Sequence, residues 1–109
     1  GVRATMVQAG VYSSGLAYLR CVDAMGVAES KKSGAATVAY LKKMPIDDDV
    51  FGKSTIREDG SCTHPAYLWQ VKKPSESKGP WDYYRLISTT PADQAFRPMS
   101  EDHCPLVKS

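Results

Sequence analysis

Apolar residues recur along the first quarter of the chain with a helical period. Val11, Gly15, Tyr18, Leu19, Val22 and Met25 fall at i, i+4, i+7, i+8, i+11 and i+14, which draws one apolar stripe on a helix starting near residue 11. Gly26, directly after the stripe, supplies a residue free to take the left-handed conformation that stops a helix. A second helix is predicted from about Ser33 to Lys43. Ser33 stands at its N-cap, Ala35, Val38 and Leu41 share one face, and Lys42 and Lys43 occupy the last turn. Pro45 closes it, because the residue before a proline is pushed out of the helical region.

Beyond Pro45 the pattern changes to that of strands. Thr55-Ile56-Arg57 leads into Glu58-Asp59-Gly60-Ser61, where Asp-Gly is a hairpin signal, and the run Ala66 to Lys72 returns as the aromatic, β-branched second strand. Pro74 to Pro80 is a polar loop. From Trp81 to Thr89 a further strand is predicted, with Trp81, Tyr83, Arg85 and Ile87 alternating against Asp82, Tyr84, Leu86 and Ser88. Both of its faces carry apolar residues. The tail holds Pro91, Pro98 and Pro105 and is expected to lie extended, with at most one short helical turn. The predicted class is α/β: two helices over about 11–44, a hairpin and a further strand over about 53–89, and an extended tail over 90–109.

The 109 residues allow at most one small domain, and 14 basic against 12 acidic residues leave a net charge of +2. That bias is too weak to argue for nucleic acid or an anionic membrane as partner. No run approaches the roughly 18 apolar residues of a membrane span. The opening GVRATMVQAG lacks a signal-peptide core and an initiator methionine, so the chain is read as soluble, without an address, and as a truncated or cleaved product. Of the three cysteines, Cys21 falls in the helical pattern and reads as a small buried residue. Cys62 and Cys104 are left as the candidate disulfide.

Three constellations invite chemistry, and none completes it. Asp47, Asp49, Gly52 and Glu58 reproduce positions 1, 3, 6 and 12 of a calcium-binding EF-hand loop, but Phe51 stands where an oxygen ligand belongs and Thr55 to Arg57 look extended. A solvated acidic turn is the expected reading. Cys62, His64, His103 and Cys104 are the ligand types of a zinc site without its spacing, and no third residue orients a Cys–His nucleophile. In GPWDYYRLISTTP, Gly79 to Pro91, aromatics stand beside Arg85 as in a base-stacking platform, yet Asp82 interrupts them and no basic groove accompanies them. A strand covered on both faces explains it better. Two helices and about four strands can hardly cover both faces, so this polypeptide is expected to be part of something larger. No metal, cofactor or catalytic residue is assigned.

The runs VYSSGLAYLRCVDAMG, VAYLKKMPIDD, IREDGSCTHPAYLWQVKKPSESKGPWDYYRLISTTPADQAFRPM and the ending CPLVKS resemble the C-terminal part of type I periplasmic solute-binding proteins. These are the branched-chain amino acid class of ABC-transporter receptors, and the likeness extends to the subgroup that binds aromatic acids. It covers essentially the whole chain. The resemblance implies a two-lobed α/β receptor, periplasmic and without enzymatic activity, that closes by hinge motion on a small amino acid or aromatic carboxylate and delivers it to a membrane permease. It makes GPWDYYRL a structural, hinge-proximal strand whose partners lie in the missing N-terminal portion of the same receptor. It also places Met6, Gln8 and Tyr12 at the cleft: Gln8 to hydrogen-bond a carboxylate or ring hydroxyl, Met6 and Tyr12 to pack on the ligand body. Helix entry and core packing are the alternative roles for those three residues. In that setting Cys62 and Cys104 would sit in an oxidising compartment. A stand-alone α+β interaction module remains the competing reading, and the two differ in solution: a receptor fragment is expected to self-associate, a module to stay a compact monomer.

Overall fold

The computed structural model describes residues 4–105 and 107. A helical layer comes first: α1 (Met6–Met25), α2 (Val27–Lys32) and α3 (Gly34–Leu41). Helix α1 begins five residues earlier than the apolar stripe predicts, because Thr5 and Gln8 form a capping box. The Gln8 amide donates to Thr5 Oγ1 at 3.4 Å and the Thr5 amide to Gln8 Oε1 at 2.8 Å. Two otherwise orphaned donors are satisfied at once. Gly26, at φ 85°, breaks the helix as expected. The chain then re-enters helix for the short α2, which the periodicity does not reveal, and Ser33 Oγ caps α3 by accepting from the Ala36 amide at 3.2 Å.

The buried face of α1 is not the predicted stripe. Ser13, Ala17 and Cys21 point inward, while Val11, Tyr18 and Leu19 are exposed, Val11 by 67% and Leu19 by 64%. Small side chains at i, i+4 and i+8 let α1 lie close on its neighbours. Cys21, 0% exposed, meets the Thr37 carbonyl on α3 at 3.5 Å. Of the predicted stripe, Val22 and Met25 are half-buried, with Met25 Sδ 3.8 Å from the Cys21 thiol.

Two antiparallel sheets follow. In the first, β1 (Ile46–Asp48), β2 (Gly52–Ile56) and β3 (Cys62–Thr63) form a meander with Ile46 opposite Ser54 and Ile56 opposite Cys62. The Asp-Gly turn therefore makes a hairpin, but its returning strand is the two-residue β3, not Ala66 to Lys72. His64-Pro65 ends β3. The second sheet is a ribbon of β4 (Ala66–Val71) and β5 (Tyr84–Thr90), in register from Ala66 opposite Thr90 to Val71 opposite Tyr84, with an irregularity between Leu68 and Trp69. Strand β5 starts three residues later than predicted. Trp81 has φ 74°, and the Asp82 carboxylate is held by Lys72 Nζ and by the Lys78 amide at 2.9 Å, so both belong to the connecting loop. Within this chain neither face of that strand is covered, as its element count led one to expect: no residue of β4 or β5 is buried.

The tail is not extended. Pro91 and Pro98, each at φ −57°, stand at the N-caps of α4 (Ala92–Ala95) and α5 (Met99–Asp102). The same fixed φ that argued against a continuous helix presets the start of a short one. Among the described residues, no helix is long and apolar enough to cross a membrane.

Candidate functional site

Met6, Gln8 and Tyr12 lie on the first two turns of α1, but the structure does not gather them. Residues two apart stand on nearly opposite sides of a helix. Met6, 83% exposed, faces the ribbon's loop end and, with Ala4, Thr5, Trp81 and Tyr84, lines a shallow concavity of about 540 Å³. Gln8 and Tyr12, one turn apart, are exposed on a different face of the helix. The Gln8 carbonyl oxygen is committed to the helix cap. Its amide nitrogen is the end with donor character for a carboxylate or hydroxyl. What the sequence reading missed is the approach of Trp81 and Tyr84 to Met6, because strand alternation says nothing about how a ribbon sits on a distant helix.

A second concavity, of about 270 Å³, lies beneath α1, lined among others by Ser13, Ala17, Ile46, Phe51, Cys62 and His64. Its chemistry is structural. The Ser13 hydroxyl donates to Asp48 Oδ2, joining α1 to β1, and Asp48 Oδ1 accepts from the Val50 and Phe51 amides at 2.9 and 2.8 Å. Burial alone would raise the Asp48 carboxyl, but these hydrogen bonds and the nearby Arg20 charge outweigh it and hold it below the ordinary carboxylate value. Burial first, and the Asp48 charge second, push the Cys62 thiol up. That is the reverse of what a nucleophilic cysteine requires. His64 stacks on Phe51 with ring centroids 4.3 Å apart.

The other candidates resolve in the same direction. In the acidic stretch, Asp48 rather than Asp47 or Asp49 does the work, and it binds backbone amides. The Asp47 carbonyl accepts from Arg20 Nη1 at 2.7 Å. Among the described residues, no group of three or more His, Cys, Asp or Glu side chains is placed to hold a metal ion. Cys62 and Cys104 are both free thiols, so the pairing left open by the sequence is not made. Cys62 lines the cavity beneath α1, whereas Cys104 lines a separate concavity with Glu58 and Met99. Arg85 in the aromatic strand is engaged across the ribbon, donating to Gln70 Oε1 through Nε at 2.9 Å and Nη2 at 2.6 Å.

The sequence profile of the periplasmic binding protein family matches residues 1–80. The chain belongs to that family. Among solved structures it is similar to a periplasmic binding protein from Burkholderia mallei, with 50% identity and a TM-score of 0.77 over 93% of this chain. It is also similar to a branched chain amino acid ABC transporter periplasmic ligand-binding protein from Burkholderia xenovorans, with 40% identity and a TM-score of 0.84 over 97% of this chain. The chain spans 26% and 27% of the lengths of those two proteins. No protein of curated function matches it in sequence.

Proposed function

We propose that these residues form the C-terminal part of a two-lobed periplasmic receptor that binds a small amino acid or aromatic carboxylate between its lobes and hands it to an ABC permease. One observation carries the reading: nearly the whole chain superposes on proteins of this family at 40–50% identity while spanning only about a quarter of their length. The outward stripe of α1 and both faces of the ribbon are then surfaces that the remaining chain covers. Met6, Gln8 and Tyr12 contribute ligand contacts from the exposed start of α1, Met6 and Tyr12 through apolar contact and Gln8 through its amide nitrogen. Most of the contacts come from the remainder of the receptor. Calorimetric titration of the complete protein with amino acids and aromatic carboxylates tests this. A ligand of one of these classes should bind one to one, and Met6→Ala and Tyr12→Ala should each weaken it by roughly tenfold, the loss expected for one apolar contact. Binding to neither class would refute the receptor reading; binding indifferent to both substitutions would refute the site.

A further inference from the structure

The segment carrying α4 and α5 lies beyond the residues that the family profile matches, and neither helix buries a residue. Among the described residues, α4 packs against β3, and two side-chain anchors join the segment to the rest of the molecule. Arg57, at the end of β2, supplies one anchor. Its Nη1 donates to the Arg97 carbonyl at 2.7 Å and its Nη2 to Asp102 Oδ2 at 2.9 Å, while the same nitrogen binds Asp59 in the hairpin turn at 2.8 Å. The Arg57 and Asp102 side chains are only 19% and 27% exposed, so water competes with this contact less than at an open surface. Phe96 supplies the other anchor. Its ring stands edge-on to His64 at 5.3 Å, and His64 lines the cavity beneath α1.

We propose that residues 91–105 form a detachable strap, pinned by the Arg57 guanidinium and by Phe96 on His64, which opens as one unit and uncovers His64 while the helices and sheets stay folded. A segment without a core of its own opens at a free energy set by its pins, and pins at Phe96 and Arg97 after α4 and at Asp102 in α5 tie both short helices to the same anchor points, so they open together.

Hydrogen exchange read by mass spectrometry on the complete protein tests this with Asp102→Ala, which touches only the strap end of the contact, and with Phe96→Ala. In each variant the amides of 92–102 should exchange faster by a common factor of roughly tenfold, the loss of one partly shielded contact, while those of β4 and β5 change less than about twofold. Arg57→Gln should reproduce the pattern. Should Arg57→Gln unfold the protein, the two strap variants still decide. The proposal is overturned if exchange through 92–102 is unchanged in Asp102→Ala and Phe96→Ala. It is equally overturned if each variant loosens only the half of the segment it touches, or if Asp102→Ala raises exchange throughout the protein alike.

Discussion

Removing the Asp48 carboxylate tests how this chain joins its helical layer to its sheet. One oxygen caps the β1–β2 turn through the Val50 and Phe51 amides, and the other takes the Ser13 hydroxyl from α1. Asp48→Ala removes three acceptor contacts from a half-buried site. Bonds to a charged acceptor are each worth about 1 kcal/mol or more, but water can replace part of them here, so a loss of about 2 kcal/mol is expected. Asp48→Asn keeps an acceptor for the amides and should lose about half as much. The pH dependence follows from the lowered Asp48 pKa. The folded protein holds this carboxylate more acidic than the unfolded chain does, so the stabilisation is complete above the ordinary value of 3.8 and is lost as pH falls through the lower folded-state value. Denaturant unfolding of wild type and Asp48→Asn should therefore show a stability gap that is constant near neutral pH and closes in acid. A gap that persists unchanged below that range, or an Asp48→Ala loss under about 0.5 kcal/mol, would refute this account of the turn.

Further outcomes follow from the backbone and the surface. Gly60 has φ 88° in the β2–β3 turn and open space where a Cβ would stand, so Gly60→Ala should cost only the conformational strain, about 1 kcal/mol by the same unfolding assay. Val11 and Leu19 are exposed apolar residues on the outward side of α1. The isolated 109-residue chain should therefore associate in sedimentation experiments, and Val11→Lys with Leu19→Lys should reduce that association; a monodisperse wild-type monomer would contradict the covered-surface reading.

Local signals were legible in the sequence and distant ones were not. Gly26, Ser33 and the Asp59-Gly60 turn act where their conformational preferences and hydrogen-bonding groups put them. The Thr5-x-x-Gln8 capping box was equally present, and reading it would have placed the start of α1 correctly. The apolar stripe through Val11, Tyr18 and Leu19 marks a face that stays exposed among the described residues. Periodicity therefore pointed away from the Ser13, Ala17 and Cys21 face that this chain buries. Strand pairing failed for a related reason. Ala66 to Val71 is a good strand from either side, and only the Pro65 break and the partner β5 decide that it leaves the hairpin. Met6 shares the lining of one concavity with Trp81 and Tyr84, 75 and 78 residues further along the sequence, a juxtaposition no local pattern encodes.

The most direct test of the receptor account is the intact mass of the natural polypeptide containing these residues, measured from a periplasmic extract of its source. The account predicts a single chain about four times as long as this one, from the 26% and 27% spans, recovered in that compartment. A natural product of this size, or one confined to the cytoplasm, would contradict it.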